Sequence, residues 1–284
     1  MNDATRTKYR RMVSTVMLSA TGVCAVGIVG VLLFILGYLI VNGARNLNVE
    51  FFTELPRPAG ETGGGMANAI VGSAKILGIA TVLGVPLGFL GGVYLAEYGN
   101  RGFSFVVRYT VDLLNGVPSI VVGIFAYTLV VMRVKHFSLL AGGMALGLMM
   151  IPIAVRSTEE FLRAVPNGLR EGALALGTPK WRMLATVVIP AARDGIITGI
   201  MLNLARVAGE TAPLLFTSFG NVFWNRSIQQ PSAALPEMVY RYALSPYEAF
   251  HAQAWAAGFV LLMLILLINT SARLILMRSR TGGR

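Results

Sequence analysis

The chain has 284 residues, of which 55% are hydrophobic and 13% charged, and its mean hydropathy is +0.66. A soluble domain carries about 25% charged residues, so this composition excludes an ordinary soluble fold and points to an all-α integral membrane protein. The net charge of +11 does not indicate a nucleic-acid partner, because the basic residues are scattered without aromatic interleaving, as in loops retained on the cytoplasmic side of a membrane.

Taken in order, Arg6, Lys8, Arg10 and Arg11 precede an apolar run over residues 13–41. It is far longer than the 7–15 residues of a signal-peptide core, so it reads as a retained span behind a tail of residues 1–12. It carries Cys24, the one cysteine of the chain, which can close no intrachain disulfide and has no CxxC companion for a metal. An outer loop then leads to a second span over 68–96. Lys75 lies about two turns inside it, either snorkelling to the headgroups or touching a substrate pathway.

The third span covers 106–132. Arg108 and Asp112 sit four apart near its inner end, where they can pair or meet water. Asn115-Gly116-Val117-Pro118-Ser119 interrupts it: a proline removes a backbone hydrogen bond, and membranes tolerate the freed polar groups only against protein or a water-filled cavity. Asn115 and Ser119 beside such a break suit a gate, and a packing kink explains them equally well. A short fourth span, 139–155, has Pro152 near its end.

Residues 156–194 are charged. Within them Gly177 is a helix terminator, Thr178-Pro179 reads as an N-cap and first helical residue, and Pro190 as the stop of a helix running from Trp181 to Val188. Two short helices meeting at a turn leave Leu174, Leu176, Trp181 and Leu184 free to bury against something. A docking element predicts exposed apolar side chains there; a loop covering the span ends does not.

The fifth span, 195–220, holds Arg206 and Glu210. An intramembrane charge costs about 2.5–3.5 kcal/mol on insertion scales, which makes it a functional hypothesis by default. At i,i+4 the two share a face and can pair. They fix helix packing, or they line an aqueous path where a guanidinium meets a passing anion, with Thr211 and Thr217 beyond. A sixth span, 253–277, and a tail of 278–284 complete the chain. Outer loops at 42–67 and 221–252 are long enough to receive a partner outside the membrane. His136 and His251 lack metal-ligand or catalytic company, so no metal, no cofactor and no catalytic residue is expected. With the N-terminus inside, sixteen Lys and Arg fall on cytoplasmic segments and six on outer ones, which places both termini in the cytoplasm.

Glu171, Ala173, Gly177 and the Ile189-Pro190 pair resemble the Glu-Ala-Ala loop of bacterial ABC importer permeases, with Gly172 in place of the middle alanine. GMANAIVGS (Gly65–Ser73), GVYLAEYG (Gly92–Gly99), NGVPSIVVGIFAY (Asn115–Tyr127), the stretch Arg156–Trp181 and ARVAGETAPLLFT (Ala205–Thr217) are similar to phosphate ABC transporter permeases of the PstA type. The resemblance implies a type I (MetI-like) fold of six transmembrane helices. In it Glu171, Gly172, Ala173, Gly177, Trp181 and Pro190 couple to an ATPase, while Arg206, Glu210, Thr211, Asn115, Ser119 and Lys75 serve the substrate pathway. It implies a core over 68–277 with its cytoplasmic loop at 156–194, in the bacterial inner membrane and its lipid. The partners would be a permease of the PstC type, an ATPase dimer of the PstB type and a periplasmic phosphate-binding protein of the PstS type. The chain has no Gly-Lys dipeptide, hence no Walker A loop. Sulfate or molybdate is the nearest rival cargo. An ion-coupled secondary transporter would show inverted repeats and several deep carboxylates, and Glu210 is the only deep one.

Overall fold

The computed structural model describes residues 3–61 and 63–281. The side chains of Arg6, Arg101, Arg273, Arg278 and Arg280, and all of Arg284, lie outside the described residues.

Long apolar stretches become helices because only a helix satisfies its own backbone in lipid. The order is α1 (Asp3–Arg45), α2 (Val49–Thr53), α3 (Ala67–Val93) with a π-helical end (Tyr94–Tyr98), α4 (Arg101–Gly116), α5 (Ser119–Ala126), a π-helical turn (Tyr127–Val131), α6 (Met132–Val134) and α7 (Leu139–Arg163). Then come α8 (Asn167–Ala175), α9 (Lys180–Met183), a π-helical turn (Leu184–Val188), α10 (Ile189–Ala208), α11 (Ala212–Thr217), α12 (Leu235–Ala243) and α13 (Glu248–Thr281). Among the described residues five helices are long and apolar enough to cross a membrane, and α4 with α5 to α6 forms a sixth candidate bent by 103°.

The centre of the bundle is the α3–α7 pair. Gly84, Gly88 and Gly92 repeat every fourth residue on α3, and an added Cβ at these positions would come within 2.9 Å of Gly147 O, 3.0 Å of Ile151 O and 2.7 Å of Val155 O. Small residues at this spacing let two backbones approach, which drives helix association where lipid removes the hydrophobic incentive. Around this pair Ile76, Leu146, Met150, Val207 and Leu214 form the middle of the core. One end of the bundle is closed by Phe51, Met66, Leu235 and Met238, the other by Leu162, Met183, Leu184 and Val188 beneath α8 and α9. By contrast α1 packs chiefly on α13, where Tyr38 and Trp255 meet edge-on at 5.3 Å. Its residues 7–35 are all exposed in the isolated chain.

Three local expectations are corrected. Pro190 does not stop a helix: residues Lys180–Ala208 run through as one 29-residue helix. The π turn before Pro190 explains this, since Ile189 N–H donates to Leu184 O and the widened turn makes room for a ring with no N–H of its own. That helix begins at Lys180, with Pro179 as the cap, whose carbonyl accepts from the N–H groups of Arg182 and Met183, both at 3.0 Å. The span expected over 195–220 ends at Ala208, after which the chain turns into the short α11.

Candidate functional site

The first element is the α8–α9 turn. Gly177 takes φ +78, a left-handed conformation that glycine adopts without penalty. Its N–H and that of Thr178 close the last turn of α8 onto Leu174 O and Ala173 O at 2.9 and 3.3 Å. Leu174, Leu176 and Trp181 are 48%, 87% and 66% exposed, while Leu184, expected with them, is buried in the core. Glu171 and Gly172 are exposed and Ala173 half-buried. What holds α8 in place is Arg170. Its guanidinium meets the Glu97 carboxylate at 2.8 Å and donates to Val165 O and Leu162 O at 2.5 and 2.6 Å. Lys180 donates to the Glu97 carbonyl and lies 4.6 Å from the centre of the Tyr98 ring. Sequence reasoning missed this clamp, because no local spacing links Glu97 to Arg170.

The second element is a cavity of about 410 Å³ in which the broken helix faces α7 and α10. Leu114, Asn115 and Val117 line it at the break, Val121, Val122 and Phe125 from α5, and Leu148, Met149, Pro152 and Ile153 from α7. Arg206 is the one titratable lining residue. Pro152 has no N–H to offer Leu148 O, so this wall carries a carbonyl without its helical donor. Asn115 Oδ1 is buried without a hydrogen-bond partner.

Arg206 is exposed, and among the described residues no carboxylate lies within ion-pair distance of it. The expected pair with Glu210 is therefore not formed. Gly209 caps α10 by donating to Arg206 O at 3.2 Å, so Glu210 falls beyond the helix and the four-residue spacing no longer places the two on one face. Thr211 donates to Pro236 O at 3.4 Å, and Lys75 to Asn225 O at 3.1 Å, both away from the cavity. Ser119 opens α5 without lining the cavity. Of the six pathway candidates, the structure brings together Arg206 and Asn115.

The third element joins the α8 end of the bundle to the broken helix. Glu159, 3% exposed at its side chain, receives Arg108 at 2.6 Å, Arg163 at 3.1 Å and Arg156 at 3.6 Å. Asp112 does not pair with Arg108; it faces Arg156 at 3.7 Å, since Arg108 is drawn to Glu159. At the opposite end Glu237 is fully buried, accepting from Gly220 N–H at 3.2 Å and facing Arg241 at 3.4 Å. Burial pushes its carboxyl pKa above the ordinary value against the pull of Arg241 and the backbone donors. His251 bonds to Ser245 O and His136 to Phe137 O.

Residues 84–281 match the model of the binding-protein-dependent transport system inner membrane component family. The phosphate transport system permease protein PstA of Yersinia pestis is 46% identical over 250 residues, covering 88% of this chain and 85% of that protein. That of Haemophilus influenzae is 40% identical over 274 residues, 96% of this chain and 97% of the relative. Among solved structures, an inward-facing MetNI methionine ABC transporter is 20% identical with a TM-score of 0.58, covering 75% of this chain and 96% of the other. A bacterial ABC transporter involved in alginate import is 15% identical with a TM-score of 0.63, over 96% and 99%. The structural likeness is one of fold.

Proposed function

The chain belongs to the family of binding-protein-dependent transport system inner membrane components, and from that premise we propose how its charged residues carry cargo. It is the transmembrane permease subunit of an ATP-driven importer of inorganic phosphate, a non-enzymatic subunit with a MetI-like all-α fold in the inner membrane. ATP hydrolysis resides in a partner ATPase, and a second permease subunit completes the assembly.

The observation that carries the site is Arg206, a guanidinium with no carboxylate partner among the described residues, in a largely apolar cavity beside a broken helix. A fixed cation with five donors matches phosphate oxygens and stays charged at every working pH. Among the described residues no carboxylate competes with the anion for it. Asn115 adds an amide at the break. The lining is otherwise aliphatic and aromatic, so the anion meets few groups that could trap it, as permeation requires.

The α8–α9 turn is the docking element. Glu171, Gly172, Ala173, Gly177 and Trp181 present it to a cytoplasmic ATPase dimer of the PstB type, and Pro190 seats the following helix. Both termini are cytoplasmic, with residues 156–194 facing the ATPase and residues 68–277 forming the core. A PstC-type permease lines the rest of the path, and a PstS-type phosphate-binding protein delivers cargo outside.

ATP-dependent uptake of radiolabelled phosphate into vesicles tests this reading. Arg206→Gln is expected to leave the complex assembled and to abolish uptake, while Glu171→Lys is expected to lose the ATPase. Uptake that persists in Arg206→Gln, or without ATP, overturns it.

A further inference from the structure

A chain of polar contacts joins the α8 clamp to the cavity. Arg170 on α8 grips Glu97 in the π-helical end of α3. Two residues earlier in that turn, Leu95 O accepts from Arg108 Nη2 at 3.0 Å and Arg163 Nη2 at 3.4 Å. A carbonyl at a helix C-terminus lacks an intrahelical donor, and a cation answers both the missing bond and the dipole. Arg108 then reaches Glu159 on α7 at 2.6 Å. Arg108 belongs to α4, and Leu114 and Asn115, about two turns further along α4, line the cavity that holds Arg206.

The apolar packing of α4 is sparse. Of its described side chains only Ser104 and Val111 are buried, and Val111 belongs to a small cluster with Leu95 and Val155. Phe103, Phe105, Val106, Tyr109 and Leu113 all point outward. An element with few buried apolar contacts sits at the low-stability end of a structure and takes its position from its specific pins. Arg108 is the pin that meets the α3 end and α7 at once.

Resting on the importer reading above, we propose that Arg108 is a positioning residue. It sets the place of α4, and with it the Asn115 wall of the cavity, according to the state of the α8 clamp. Motion of α8 pulls Glu97 and the π turn, Leu95 O moves with it, and Arg108 carries the displacement into the broken helix. Arg163 shares both acceptors but lies on α7, so it secures the junction without moving α4.

The test uses the assembled complex with Cys24→Ser and a reporter, Val121→Cys, on the cavity wall. Its labelling by a membrane-impermeant thiol reagent is followed with and without ATP plus vanadate, alongside uptake and ATP hydrolysis. In this background nucleotide is expected to change the labelling rate about tenfold. Arg108→Gln is expected to hold that response below about twofold and to cut uptake by about tenfold, with hydrolysis within about twofold of the parent. Arg108→Lys restores part of the response, and Arg163→Gln keeps it. The inference is overturned if Arg108→Gln retains the nucleotide response, if it fails to assemble, or if Arg163→Gln loses as much. Absence of nucleotide-driven uptake in the unmodified complex would instead remove the importer reading itself.

Discussion

The α8 end of the bundle and the Arg206 cavity use the same residue type in opposite ways. At the α8 end Arg108, Arg156, Arg163 and Arg170 all meet carboxylates, and the carboxylates of Glu159 and Glu97 are nearly inaccessible. In the cavity Arg206 has no carboxylate within reach among the described residues. Neutralised arginines hold helices in register, and a solitary one is available to a ligand. Position along the chain does not separate the two classes; partners do.

The sharpest way to break this contrast is to remove one arginine of each class. Arg206→Gln is expected to cost uptake entirely while leaving the thermal unfolding of the complex in place, because no buried partner is orphaned. Arg170→Met leaves the Glu97 carboxylate buried and unpaired, a loss of about 3 kcal/mol. The double variant Arg170→Met/Glu97→Leu is expected to recover much of that stability, since a well-packed apolar pair often replaces a buried ion pair at little cost. If Arg206→Gln destabilises as much as Arg170→Met, the cavity arginine is structural and the contrast fails.

A smaller effect is expected at the exposed tip of the handle. Leu176→Asp and Trp181→Asp alter side chains that touch little of their own chain, so unfolding of the isolated subunit is expected to shift by no more than about 0.5 kcal/mol. Co-purification of the ATPase is expected to fall sharply. A large loss of subunit stability with the ATPase still bound would return these residues to the role of span covers.

How much of this was legible in the sequence depended on the range of the interaction. The helical spans, apart from the fifth, which ends at Ala208 rather than 220, the proline-broken third helix and the glycine turn at Gly177 follow from composition and neighbours, and they stand in the structure. The Arg206–Glu210 pair was inferred from helical spacing and is absent, because Gly209 ends the helix between them. Pro190 read as a stop because its ring cannot join a regular α-turn, but a π turn admits it. The Glu97–Arg170 and Arg108–Glu159 pairs join residues 73 and 51 positions apart. No periodicity reports such a contact, so only the fold reveals it.

Glu237 offers the smallest effect and tests whether a pair always stabilises. It is paired with Arg241 like the carboxylates at the α8 end, yet burial wins and its pKa is raised. The folded state therefore holds this proton more tightly than the unfolded chain, whose ordinary value is 4.5. As pH falls through the raised value toward 4.5 the folded state gains stability, and above the raised value the ionised carboxylate is a constant cost. Glu237→Gln keeps an acceptor for Gly220 N–H and removes that cost. Its melting temperature is expected to exceed the parent's at neutral pH, with the gap closing as pH drops to the ordinary carboxylate range. A Gln variant that melts lower at neutral pH would mean that Arg241, 46% exposed at its side chain, still outweighs desolvation. The α12 end would then obey the rule of the α8 end, and burial alone would not distinguish a pair that stabilises from one that does not.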